Sequence, residues 1–209
     1  LLDGGIRRGT DVLKELAFGA RAVLVLNNDA VVAPDFLQPL LWILNSHARI
    51  AAVSSATLRP DRETLELAWL RVHFGHGLVR RVGMHALPSE GYDVPREVPV
   101  VVGCSVLMAA DALRAVGPLD ADYFAYHEDV DWCFRVRAAG WAVCYQPLSR
   151  VYHAGSRRTA GESPSAESTA KVQRVQASPV AGSPPPARAA STVSSSPSSW
   201  AIAVSSRAT

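Results

Sequence analysis

Hydrophobic positions in the first three quarters of the chain fall into short runs that alternate between two periodicities. From Asp11 to Ala20 (DVLKELAFGA), Leu13, Leu16 and Ala17 recur at helical spacing, and Gly19 stands where that helix should stop. Ala22-Val23-Leu24-Val25-Leu26 is then apolar at every position, which suits a strand covered on both faces of a parallel sheet. Pro34-Asp35-Phe36 reads as a helix start, with proline at the first position and an acid in the first turn. Phe36, Leu37, Leu40, Leu41 and Leu44 continue it at helical spacing. Pro39 conflicts with a regular helix from Pro34, so the helix is either kinked or begins later. Ile50 to Ala56 is the next buried strand, and strand, helix, strand with short connections predicts an α/β fold.

Between residues 57 and 97 the glycines at 75, 77, 83 and 91 punctuate segments that form either hairpins or a long loop. A buried strand returns at Val98 to Ala109, interrupted by Gly103. A short helix around Asp111 to Val116 stops at Gly117-Pro118, and a second runs from about Glu128 to Ala139 and stops at Gly140. Trp141 to Tyr145 and Ser149 to His153 read as two further short strands.

The pattern ends near residue 155. Residues 156–209 contain no Leu, Phe, Tyr or Met and are dominated by Ser, Ala and Pro, so they cannot bury enough apolar surface to offset the entropy of ordering. The organisation expected is one catalytic domain over 1–155 and a disordered tail over 156–209. The tail carries 6 basic against 2 acidic residues, whereas the domain carries 15 against 17, so its near-neutral balance gives no electrostatic case for nucleic-acid binding. Cys104, Cys133 and Cys144 lie in apolar stretches without C-x-x-C spacing and read as reduced core thiols of a cytoplasmic protein. The longest uncharged apolar run, Val98 to Ala110, is short of the ~18–20 residues that span a bilayer.

Three places carry candidate chemistry. Asn27-Asn28-Asp29 follows directly on a buried strand, the edge at which ligands of α/β sheets gather, and Asp29 there can hold a hard divalent cation. The plainer alternative is an Asn/Asp turn. His127-Glu128-Asp129-Val130-Asp131 opens a helix, where the dipole favours acids and Asp131 can pair with Arg135. One of these carboxylates, aimed into a crevice, can instead remove a proton from a hydroxyl, which accelerates reactions by roughly 10²–10⁴. Tyr152-His153 ends the last strand, and its imidazole can complete a metal site and favour manganese over magnesium.

In their order and context these residues resemble the inverting family-2 glycosyltransferases, especially rhamnosyltransferase-like members acting on bacterial surface polysaccharides. Gly5-Ile6-Arg7-Arg8-Gly9-Thr10-Asp11 is similar to that family's glycine-containing helix start. Val23 to Phe36 (VLVLNNDAVVAPDF) is similar to its D-x-D strand, and Gly103-Cys104-Ser105 to its acceptor-side turn. Ala115 to His153, with VGPLDADYFAYHEDVDWCFRVRAAGW and VYH, resembles its most distinctive segment. The resemblance covers roughly residues 4–155. It implies a GT-A fold, a Rossmann-like sheet that binds a nucleotide-diphospho-sugar. Asn27, Asn28 and Asp29 would contact that donor, and Asp29 and His153 would hold a divalent metal, Mg or Mn. Asp129 would be the base, and Gly103, Cys104 and Glu128 would meet the acceptor, a glycan or lipid-linked glycan. A lipid-linked acceptor would bring peripheral association with the inner face of the cell membrane.

The chain departs from the family pattern at Asn27, which replaces the first D-x-D acid. The N-terminal strands expected to hold the nucleobase and ribose are missing, as is the helical region after His153. Similarity stops after Gly161-Glu162-Ser163-Pro164, and a frameshift or misread end is expected shortly after Pro164. Two other classes compete. A sugar nucleotidyltransferase needs a phosphate-cradling glycine loop, of which Gly5-Ile6-Arg7-Arg8-Gly9 is a poor version. A truncated remnant would bind without turnover.

Overall fold

The computed structural model describes residues 16–17, 19–27, 29–75, 77–120, 122–123 and 127–153, together with strands at Leu2–Asp3 and Ala201–Ser205. Eleven strands are named in chain order. The first four are β1 (Leu2–Asp3), β2 (Ala22–Asn27), β3 (Ala30–Val32) and β4 (Ile50–Leu58). They are followed by β5 (Leu65–Leu67), β6 (Trp69–His73), β7 (Leu78–Val82) and β8 (Arg96–Glu97). The last are β9 (Ser105–Ala109), β10 (Ala142–His153) and β11 (Ala201–Ser205). The described helices are α1 (Leu37–Ser46), α2 (Ala110–Val116) and α3 (Glu128–Ala138).

The main sheet runs in the order β1-β11-β2-β9-β4-β10-β3, with β5 beside β4 and β8 beside β10. It is mixed. β4 and β10 pair in parallel, but β9 inserts antiparallel between β2 and β4. The expectation of a parallel sheet is corrected on this point, and the reason lies in the layers. Ala22, Leu24, Leu107 and Val53 face Leu40 and Leu44 of α1, while Val23, Val106, Met108 and Ala52 face Val130, Trp132, Cys133 and Val136 of α3. Helices on both faces bury strands equally well whichever way they run, so continuous apolar runs do not reveal direction.

Other expectations are adjusted locally. The helix expected from Pro34 begins at Leu37, which puts Pro39 in the first turn, where a missing N–H costs nothing. Only Ser105–Ala109 of the stretch from Val98 pairs as a strand, although Val98, Val100 and Val101 are buried. The two strands expected after Gly140 are one, β10, whose register on β4 slips between Gln146 and Arg150. Pro147 lies in that bulge, where a missing ladder donor is tolerated. Gly140 ends α3 at φ 80, a left-handed conformation that glycine adopts without steric cost. The residues between β4 and β8 form a hairpin of β6 and β7 rather than a long loop.

The helix expected over residues 11–20 falls largely outside the described residues, with Leu16 and Ala17 helical. Of the segment expected to be a disordered tail, Ala201–Ser205 is a strand parallel to β2, within the tail's longest apolar run, and the rest lies outside the described residues. All three cysteines are free thiols, and burial pushes Cys133 up to about 12 and Cys144 up to about 11.

Candidate active site

Three strand ends and one helix start meet at one edge of the sheet. β2 ends at Asn27, whose backbone N–H donates to the carbonyl of Cys104 at 2.9 Å, so the Asn27 turn and the Gly103 turn are tied together. Asp29 follows in the turn into β3, and β3 pairs antiparallel with the end of β10, Ala30 opposite His153. That register brings a residue 124 positions away to Asp29. His153 Nε2 lies 3.1 Å from Asp29 Oδ1, and its Nδ1 lies 2.6 Å from Glu66 Oε2 on β5. Asn27 Nδ2 is 3.5 Å from the same Nε2. The imidazole is nearly buried, with 12% of its side chain exposed, while Asp29 is 47% exposed. The hydrogen bond to Glu66 chiefly holds the His153 pKa above its usual value, against the opposing effect of burial.

Asp29 and His153 are therefore neighbours with one carboxylate oxygen and one ring nitrogen facing each other. Among the described residues no group of three or more His, Cys, Asp and Glu side chains is placed to hold a metal ion. The pair still fits a divalent cation of the magnesium or manganese type, which takes one or two protein ligands and leaves its other positions to phosphate and water. The Glu66 contact supplies what a metal-binding histidine ordinarily has, a carboxylate on its far nitrogen that fixes tautomer and ring orientation. Glu66 was missed in the sequence. It sits at the centre of a three-residue strand, Leu65-Glu66-Leu67, between two buried leucines, and that alternation was the only trace of it.

Asp129 lies across the cleft. Its Oδ2 accepts the Gly103 N–H at 3.0 Å and its Oδ1 accepts the Val130 N–H at 2.8 Å. Burial, above all, raises its pKa. The two N–H groups pull it back, and the neighbouring charge of Glu128 adds to the rise. Asn27, Gly103, Glu128 and Asp129 line a cavity of about 60 Å³, walled by Val25 and Trp132 among others. Asn27 thus touches the Asp29–His153 pair on one side and faces Asp129 on the other.

Helix α3 starts at His127, a non-glycine residue held at φ 74 without a side-chain cap. Such a conformation is uncommon outside glycine and concentrates at functional sites. The helix is anchored from beyond its first turn. Trp132 Nε1 donates to the Gly117 carbonyl at 3.0 Å, and Arg135 donates to the carbonyls of Val116 and Pro118 and pairs with Asp131 at 2.8 Å. Asp131 is thereby structural, as the i,i+4 spacing suggested. Beneath the site, Ser55 on β4 bonds both Ser105 on β9, at 2.8 Å, and Ser149 on β10, at 2.7 Å, all three buried.

The remaining candidates divide. Asn28 lies outside the described residues. Cys104 is placed differently from the expectation of an acceptor contact. Its side chain is buried with Leu67, Val102 and Val151, and burial, with the charges of Glu66 and Asp29, pushes its thiol up to about 12. What this turn offers the cleft is the backbone of Gly103.

Residues 3–176 match the glycosyltransferase-like family 2. The chain belongs to that family. It is 30% identical over 146 residues to the N-acetylglucosaminyl-diphospho-decaprenol L-rhamnosyltransferase of Mycobacterium tuberculosis (strain CDC 1551 / Oshkosh). The match covers 63% of this chain and 46% of that protein, so the chain spans about half the length of that relative. Its fold is that of a GT-A enzyme. The crystal structure of GalNAc-T7 with UDP, GalNAc and Mn2+ superposes with a TM-score of 0.51 at 16% identity, over 69% of this chain and 30% of that one. A shorter segment is 80% identical over 55 residues to the 2-hydroxyacid oxidase of Dictyostelium discoideum. That segment covers 24% of this chain and 14% of that protein, too little to bear on fold or activity. Among the described residues no helix is long and apolar enough to cross a membrane.

Proposed function

We propose that this glycosyltransferase moves a sugar from a nucleotide-diphospho-sugar to an acceptor hydroxyl in a single displacement that inverts the anomeric carbon, in bacterial surface-polysaccharide synthesis. The observation that carries the reading is the position of Asn27, between the Asp29–His153 pair and the cavity of Asp129. A donor diphosphate at the pair and an acceptor at the cavity then face one another across a single residue.

Asp29 and His153 would hold a divalent cation, and Glu66 keeps the imidazole turned with Nε2 toward Asp29. When bound, the cation neutralises charge on the departing nucleoside diphosphate. Asp129 takes the proton of the acceptor hydroxyl, and the freed oxygen attacks the anomeric carbon from the side opposite the leaving group. A base with a raised pKa suits this role, because the more basic carboxylate is the stronger proton acceptor. Two backbone N–H groups hold its carboxylate at one angle, so no reorientation is needed at the moment of transfer. Glu128, in the same cavity lining, orients the acceptor. The decaprenol-linked acceptor in the name of the mycobacterial relative supports a lipid-linked glycan here.

The test is isothermal titration of the chain with nucleoside diphosphates, with and without manganese, followed by transfer assays over a panel of sugar nucleotides. Manganese-dependent binding and transfer with inversion are expected. Binding without metal dependence would remove the Asp29–His153 reading, and metal-dependent binding without turnover would mark the chain as a remnant.

A further inference from the structure

The hairpin of β6 and β7 has no part in the proposed reaction, and its surface is unusual. Register sets Arg71 directly opposite Arg80 and, two rungs nearer the turn on the same face, His73 opposite Leu78. Val72 and Val79 are half-buried on one face, while Arg71 and Arg80 are exposed on the other. Like charges directly opposite one another destabilise an antiparallel pair. Among the described residues neither arginine makes an ion pair. No Asp or Glu occurs from Ala68 through Ser89. Phe74 in the turn is 68% exposed and Leu78 43%. A cation pair kept without a counter-charge, next to large apolar groups kept in water, suits a partner that is anionic and has an apolar interior.

We propose that this hairpin docks on an anionic lipid bilayer, Phe74 and Leu78 entering the acyl boundary while Arg71 and Arg80 meet headgroup phosphates. Amphipathic elements with basic and apolar faces bind such surfaces through both terms at once. Where the hairpin is attached gives the docking a consequence. The Phe74 ring packs at a tilt against Phe134 of α3, centroids 5.2 Å apart, and α3 carries Asp129. At its base the Leu70 N–H donates to the Val100 carbonyl at 3.1 Å, in the segment leading to Gly103. The surface therefore adjoins the acceptor side of the cleft and turns that side toward the membrane. This orientation rests on the lipid-linked acceptor proposed above; the docking itself does not.

Co-sedimentation of the whole chain with vesicles tests it, comparing phosphatidylglycerol mixed into phosphatidylcholine with phosphatidylcholine alone. The wild type should bind only the anionic vesicles. At about fivefold per arginine, the Arg71→Glu, Arg80→Glu double variant should bind more than tenfold more weakly. Phe74→Ser should also weaken binding, and unchanged circular dichroism of the charge variant rules out unfolding as the cause. Equal binding by the double variant, which would point to the basic tail, overturns the proposal, as does a wild type that leaves anionic vesicles in solution. Vesicle binding that follows the hairpin, with transfer only to water-soluble acceptors, sinks the lipid-linked acceptor and supports the docking.

Discussion

The carboxylate of Asp129 and the backbone of Gly103 are in direct contact: Oδ2 accepts the Gly103 N–H at 3.0 Å, and a Cβ built on Gly103 would stand 3.3 Å from that same oxygen. The contact joins the start of α3 to the loop before β9, two segments 26 residues apart in the chain. Glycine is needed there because a side chain would press on the carboxylate. Gly103→Ala should therefore displace the base rather than unfold the domain. The carboxylate must give by a few tenths of an ångström, so we expect transfer to fall by up to about tenfold, less than the ~10²-fold that a misplacement of about 1 Å costs, with little change in melting temperature. Unchanged turnover in the alanine variant would separate Gly103 from the base.

Asp129 itself is tested by charge and by pH. Asp129→Asn should lower the transfer rate by roughly 10²–10⁴ while donor affinity stays near the wild type, because the base is not needed for donor binding. As the proposed base, Asp129 works only when ionised, so activity should fall as pH drops through its pKa. Burial raises that pKa above the ordinary 3.8, so the acid limb should lie above the usual carboxylate range. Turnover that survives in Asp129→Asn would move the role to Glu128, which lines the same cavity, since Asp131 is held by Arg135.

Manganese affinity reports the other half of the site without any need for turnover. Asp29→Ala should weaken metal-dependent binding of a nucleoside diphosphate directly. Glu66→Ala should weaken it by about 10–100-fold, the usual effect of removing the carboxylate behind a metal-binding histidine. Glu66→Gln, whose amide oxygen can still accept the Nδ1 proton, should lose less. Electron paramagnetic resonance of free manganese measures all three, and an Asp29→Ala variant that binds metal as the wild type does would leave Asn27-Asn28-Asp29 a simple turn.

Stability beneath the site depends on Ser55. Ser55→Ala leaves the buried hydroxyls of Ser105 and Ser149 without their shared partner. An unsatisfied buried hydroxyl costs about 1–3 kcal/mol, and for a chain of this size each kcal/mol lowers the melting temperature by about 2–4 °C. Thermal unfolding that is unchanged in Ser55→Ala would show that the three strands do not depend on this network.

What the sequence by itself determined was local. The apolar run ending at Asn27, the helix over Glu128–Ala138 with Gly140 beyond it, and the acids of its first turn are properties of a few neighbouring residues, and their order along the chain carried the family resemblance. Tertiary structure alone decided the rest. The antiparallel insertion of β9 was invisible because strands buried on both faces look alike in either direction. Cys104 and Gly103 are adjacent in the chain, yet one turns into the core and the other toward the cleft, a matter of backbone direction that composition does not carry. The contact of His153 with Asp29 and Glu66 joins residues 124 and 87 positions apart through the pairing of β3 with β10 and of β5 and β10 with β4. Glu66 carries no motif of its own; only the sheet register gives it His153 as a neighbour.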